Sequence, residues 1–86
     1  MKLTKKYEVE VTVDILGTVY NQEIFNDKLD FEIKHDVAFA IKHEATQHSS
    51  RTTIANGSDE EFHYYHQTPV LITVDVVYFS LDIIEE

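Results

Sequence analysis

Between Tyr7 and Ile15 the chain alternates apolar and polar side chains without a break: Tyr7, Val9, Val11, Val13 and Ile15 on one parity, Glu8, Glu10, Thr12 and Asp14 on the other. Successive side chains of a strand point to opposite faces, so the pattern predicts a strand with one side in a core and the other in water. Leu16-Gly17-Thr18 can turn or bulge. Thr18 to Phe25, with Val19, Tyr20, Ile24 and Phe25, then predicts a second antiparallel strand returning beside the first.

After Asn26 the period changes. Asn26 followed by Asp27 and Asp30 resembles a helix start, where a capping side chain and first-turn carboxylates answer the free amide groups. Leu29, Ile33, Val37, Ala40 and Ile41 recur at steps of three and four, which predicts a helix from about Asp27 to His48. Phe31 falls outside that stripe, and Leu29 to Ile33 also alternates. The competing reading is a short strand there, followed by a shorter helix capped by Asp36 and running from Val37 to His48. Ser49, Ser50 and Arg51 end the helix by their lower propensity.

Thr52 to Ala55 reads as a strand, Asn56-Gly57 as a turn, and Ser58-Asp59-Glu60-Glu61 as a polar acidic loop. Phe62-His63-Tyr64-Tyr65-His66 is an aromatic, extended segment closed by Thr68-Pro69. Val70 to Ile84 is rich in β-branched and aromatic residues on both parities, as expected of a central strand covered by a helix on one side. A bulge or bend near Val76-Val77 is expected, because the segment is long and the parity that carries Thr73 and Asp75 turns apolar at Val77, Phe79 and Leu81. The fold class that follows is α+β: an antiparallel sheet of about four strands with one main helix packed on one face, in a single domain over residues 1–86.

Composition narrows the function classes. With no cysteine among 86 residues, disulfides, thiolate metal sites and thiol nucleophiles are excluded, and a reducing cytoplasm is the expected compartment. Lys2, Lys5 and Lys6 give the amino terminus the charge of a signal peptide, but an alternating strand pattern follows instead of an apolar block, so export is not expected. The longest stretch without Asp, Glu, Lys or Arg, Phe62 to Val74, is partly polar and short of the roughly 20 apolar residues a membrane span needs.

Charge changes the picture most. Sixteen acidic residues against seven basic ones give a net charge of −9, and from Tyr7 onward four basic residues face all sixteen acidic ones, a net of −12. A field of that sign repels nucleic acid and anionic lipid and attracts basic surfaces.

Candidate chemistry is thin. Five histidines invite a metal site, but His43 and His48 stand five apart, not the four that would align them on a helix. His63 and His66, three apart, diverge on a strand. Ser49, Ser50 and Ser58 have histidines or carboxylates nearby in sequence, yet catalytic triads are assembled in space. No glycine-rich phosphate loop or nucleophile elbow is present, and Asn56-Gly57-Ser58 matches a glycosylation sequon that matters only on export. The expectation is therefore a binding protein and not an enzyme, without cofactor or metal.

The acidic clusters supply its candidate contacts: Glu8, Glu10 and Asp14 along one strand face, and Asp59, Glu60 and Glu61 in the following acidic loop. Alternate residues of a strand lie about 6 to 7 Å apart, close to the spacing of successive phosphates on one nucleic-acid strand. The expected partner is a protein with a basic, nucleic-acid-handling surface, and the expected role is that of an inhibitor or adaptor. By analogy of size and charge alone, this suggests a nucleic-acid mimic of the phage anti-restriction or anti-CRISPR kind. The alternative is a self-associating assembly component, a homodimer for instance, using sheet edges and the aromatic segment Phe62, Tyr64 and Tyr65.

Overall fold

The computed structural model describes residues 2–59, 64–79 and 82–84. Its order is β1 (Lys2–Thr4), β2 (Tyr7–Ile15), α1 (Gln22–Lys42), β3 (Gln47–Asp59), β4 (Tyr64–Tyr78) and β5 (Asp82–Ile84). The long strands form an antiparallel sheet in the order β2-β4-β3, with α1 on one face, and β1 pairs with β5 apart from it. The α+β architecture is thus the expected one, and β4 is the predicted central strand.

The core follows from β4's alternation. Val70, Ile72, Val74 and Val76 are buried against α1, where Phe25 and Ala40 meet them. Leu29, Ile33 and Val37 complete the helical stripe, and Phe31, which breaks its spacing, is 69% exposed. From β2 come Val11 and Val13, opposite Val74 and Ile72, and from β3 comes Ile54. Val9 pairs with Val76 on the same inner face, yet α1 packs mainly on β3 and β4, and Val9 stays 37% exposed while Val11 and Val13 are half-buried.

Several local expectations are overturned. Thr18 to Phe25 is not a second strand, because Asn21 begins the helix there: its backbone is extended and its side-chain oxygen accepts from the Ile24 amide at 3.0 Å. Neither Asn26 nor Asp36 is therefore a cap, and the competing short strand at Leu29–Ile33 is the middle of α1.

The helix stops at Lys42, short of His48, in a Schellman motif. Glu44 takes the left-handed conformation at φ 53° and donates its amide to Ile41 O, while the Ala45 amide reaches back to Ala40 O. Glycine usually occupies that position, so a glutamate there leaves no sequence signature.

Asn56-Gly57 does not turn but lies inside β3, at a register shift between Ala55 and Ser58, so β3 runs through the whole of the predicted Thr52–Ala55 strand, turn and loop start as far as Asp59. No bulge occurs at Val76-Val77, since β2 and β4 stay in register from Tyr7↔Tyr78 to Ile15↔Val70. The outer face merely becomes apolar there, with Val77 exposed. Phe62 and His63 lie outside the described residues.

Polar contacts at both ends fix α1 on the sheet. Asn56 is fully buried; its side-chain oxygen accepts from the amides of Tyr20 (2.7 Å) and Asn21 (3.0 Å), and its amide group donates to Ile54 O and the Thr68 hydroxyl, both at 2.8 Å. At the other end the Tyr78 hydroxyl lies 3.1 Å from Ala40 O and 2.9 Å from Ala45 O, tying β4 to the helix terminus. The same burial pushes the Tyr78 phenol above the ordinary tyrosine range, with Tyr7 and Glu44 adding charge repulsion in that direction.

Replacing Asn56 by Ala strands the two amides that lead into the helix, while the Thr68 hydroxyl keeps its bond to the Thr18 carbonyl, and is expected to cost about 2 to 4 kcal/mol in urea unfolding. Removing only the cap with Asn21→Ala is expected to cost about 1 kcal/mol. Because Tyr78 is held neutral when folded and ionises more readily when unfolded, its contribution is full below about pH 10 and is lost as pH rises above that value. Tyr78→Phe should flatten the alkaline limb of the stability profile, measured by urea midpoints at increasing pH.

Candidate acidic face and sheet edge

With the even-numbered residues of β4 turned to α1, its odd-numbered ones form the open face, and the register carries this parity to both neighbours. Glu10 stands directly opposite Asp75, which stands opposite Gln47; Thr12 faces Thr73 and then Ser49; Asp14 faces Leu71 and then Arg51; Glu8 faces Val77. Three of the sequence candidates, Glu8, Glu10 and Asp14, are thereby gathered on one exposed face, and Asp75 joins them from the central strand. Its position follows only from strand pairing, so sequence reading missed it.

The remaining candidates are not brought into this face by anything described. Asp59 is the last residue of β3, and its side chain, with all of Glu60 and Glu61, lies outside the described residues.

Electrostatically the face is one-sided. Among the described residues Glu8, Glu10 and Asp14 have no ion-pair partner, and the strands contribute one cation to this face, Arg51, two strands away from Asp14. Asp75 accepts from the Gln47 side-chain amide at 3.0 Å, a neutral donor that leaves its charge uncompensated. Like charges directly opposite across an antiparallel pair have Cβ atoms about 4.5 to 5.5 Å apart and destabilise it. The Glu10–Asp75 pair therefore works against the fold.

A second polar group lies under α1. Asp36, 5% exposed, sits in mid-helix facing β3; it accepts from the Ser50 hydroxyl, with His35 Nδ1 at 3.7 Å and His48 Nε2 at 4.0 Å. Serine, aspartate and histidine meet here, and the serine proton is directed to the carboxylate. The His48 ring packs instead on Phe39, at 4.7 Å between centroids, with His43 on the same ring at 4.3 Å. What the cluster does in this geometry is hold the helix to β3. Among the described residues no group of three or more His, Asp or Glu could hold a metal ion.

An open depression of about 610 Å³ lies at the helix start, between Tyr20, Lys28, Asn56, Gly57 and His66. Its polar groups are engaged within the fold: Lys28 Nζ donates to Ala55 O at 2.7 Å, Asn56 is saturated, and Tyr20 stacks on His66 at 4.4 Å. No helix of the described residues is long and apolar enough to cross a membrane.

Comparison with known protein families, with curated proteins and with solved structures finds no match to this chain. The site therefore stands on its geometry alone.

If Glu10 and Asp75 repel across the sheet, Glu10→Lys should raise stability by about 0.5 kcal/mol at low salt, with the gain fading toward 0.5 M salt as screening takes over. Urea midpoints at the two salt concentrations check this.

Proposed function

We propose that this domain is a small acidic protein-binding module, an inhibitor or adaptor without catalysis of its own, which takes a basic protein surface onto the open face of its sheet. One observation carries the reading: carboxylates from two adjacent strands converge on that face, one pair directly opposed, and among the described residues Glu8, Glu10 and Asp14 have no ion-pair partner. Such an arrangement costs stability, and a basic partner relieves it on binding.

The finer form of the reading is nucleic-acid mimicry. Along β2, Glu8 and Glu10 stand about 6 to 7 Å apart, a phosphate-like interval, with Asp14 two such intervals further on beyond Thr12, and a protein built to grip DNA or RNA presents the matching cations. A phage-type antagonist of restriction or CRISPR enzymes, acting in the cytoplasm, has this character. A second reading, a self-associating assembly component, draws on the two sheet edges and on exposed apolar residues such as Phe31, Val77 and Phe79.

Affinity capture with the tagged chain separates the two. The first reading expects a nucleic-acid-handling protein held at low salt, released at about 0.5 M salt where the Debye length falls to a few ångströms, and lost from the triple variant E8Q/E10Q/D14N. Recovery of the protein itself and nothing else, unchanged in that variant, supports self-assembly and sinks the first reading.

A further inference from the structure

Resting on that reading, we propose that the partner attaches along β2 by β-augmentation: an extended segment of the partner, in which basic and apolar residues alternate, adds a strand to the uncovered edge of the sheet. β2 pairs with β4 over nine residues without a bulge or a proline, and among the described residues no strand pairs with its other edge. Such an edge presents a row of backbone donors and acceptors ready for an added strand. The opposite edge, β3, is less suited. It carries the register shift at Ala55/Ser58, the Ala55 carbonyl already accepts from Lys28, and α1 overlies it.

Both faces of β2 specify the same occupant. On the inner side Val9 remains 37% and Ile15 49% exposed, because α1 covers β3 and β4. Apolar residues of an added strand would continue the inner face beside the helix and shield these side chains. On the outer side Glu8, Glu10 and Asp14 are exposed and, among the described residues, without ion partners, and residues of an added strand would stand directly opposite them. Lysine or arginine at those positions, alternating with apolar residues, satisfies both faces at once.

Charge also disfavours a second copy of β2 at this edge. In antiparallel self-pairing centred anywhere from Val9 to Thr12 with the valines kept on one face, at least one carboxylate stands opposite another: Glu8 against Asp14 about Val11, Glu10 against itself about Glu10. Parallel self-pairing in register stacks each carboxylate on its own copy. The acids that disfavour self-pairing in these registers favour a basic strand.

The test uses the full chain and three synthetic peptides as long as β2, nine residues. One alternates lysine with valine and isoleucine, one has the same composition with the lysines in a block, and one alternates glutamate in place of lysine. The alternating lysine peptide should bind at least about tenfold more tightly than the block peptide. It should also slow hydrogen exchange at alternate amides of β2, those facing the open edge, while leaving the β4-paired amides unchanged. The variant E8K/E10K/D14K should reverse the preference toward the glutamate peptide; if it does not fold, the exchange pattern of the unaltered protein decides alone.

Equal binding of both lysine peptides with no new protection in β2 overturns the edge inference and leaves the acidic-face reading standing. Failure of both lysine peptides to bind at low salt overturns both.

Discussion

A helix is about 10 Å across with its side chains, and strands of a sheet lie less than 5 Å apart, so one helix covers about two strands. Here three long strands share one helix. One of them must keep part of its apolar face in contact with water, and every distinctive feature of the molecule follows from which strand that is. With α1 over β3 and β4, the bare strand is β2, an edge strand that bears the densest row of carboxylates on its other side. Had the helix lain over β2 and β4, the same residues would form a closed apolar layer beneath an acidic surface, and the uncovered edge would belong to a serine- and threonine-rich strand.

What puts the helix there is polar. Asn56 accepts from two consecutive amides ahead of the helix while donating to Ile54 and Thr68 on either strand, so β3, β4 and the start of α1 are tied at one fully buried side chain. Tyr78 does the same at the far end, from β4 to the Ala40 carbonyl in the last helical turn and the Ala45 carbonyl just beyond it. Between the two, Asp36 and Ser50 join the helix to β3 within an otherwise apolar interface. Apolar burial stabilises this packing without direction; these three contacts select one orientation from those that burial alone would permit.

The open face reflects the opposite balance. Glu10 opposite Asp75 is a local choice that conflicts with the global fold, and such conflicts tend to mark surfaces kept for something other than stability. The face gains its sense if a partner supplies the missing cations, and the bare apolar side of β2 gains its sense if the same partner supplies a strand. A surface kept electrostatically unsatisfied on one side and hydrophobically unsatisfied on the other is satisfied by an alternating segment, because alternation is the only pattern that a strand can present to both.

The strand at Tyr7–Ile15, the helical stripe from Leu29 to Ala40, the centrality of the segment after Val70 and the strong negative charge were all legible in the sequence. Each is a matter of period or composition, and side-chain alternation and burial follow from those directly. The helix limits were not legible, since its start depends on Asn56, thirty-five residues beyond Asn21, and its end on a left-handed glutamate where glycine would have given the signal. Nor was the arrangement of the acidic residues: Glu8, Glu10 and Asp14 share a face by alternation alone, but Asp75 enters only through the pairing register. That β2 is the uncovered edge likewise depends on strand order. Period along the chain determined which residues could form a face; hydrogen-bond register and the width of a single helix, which join residues far apart in sequence, decided which faces met and which one stayed open.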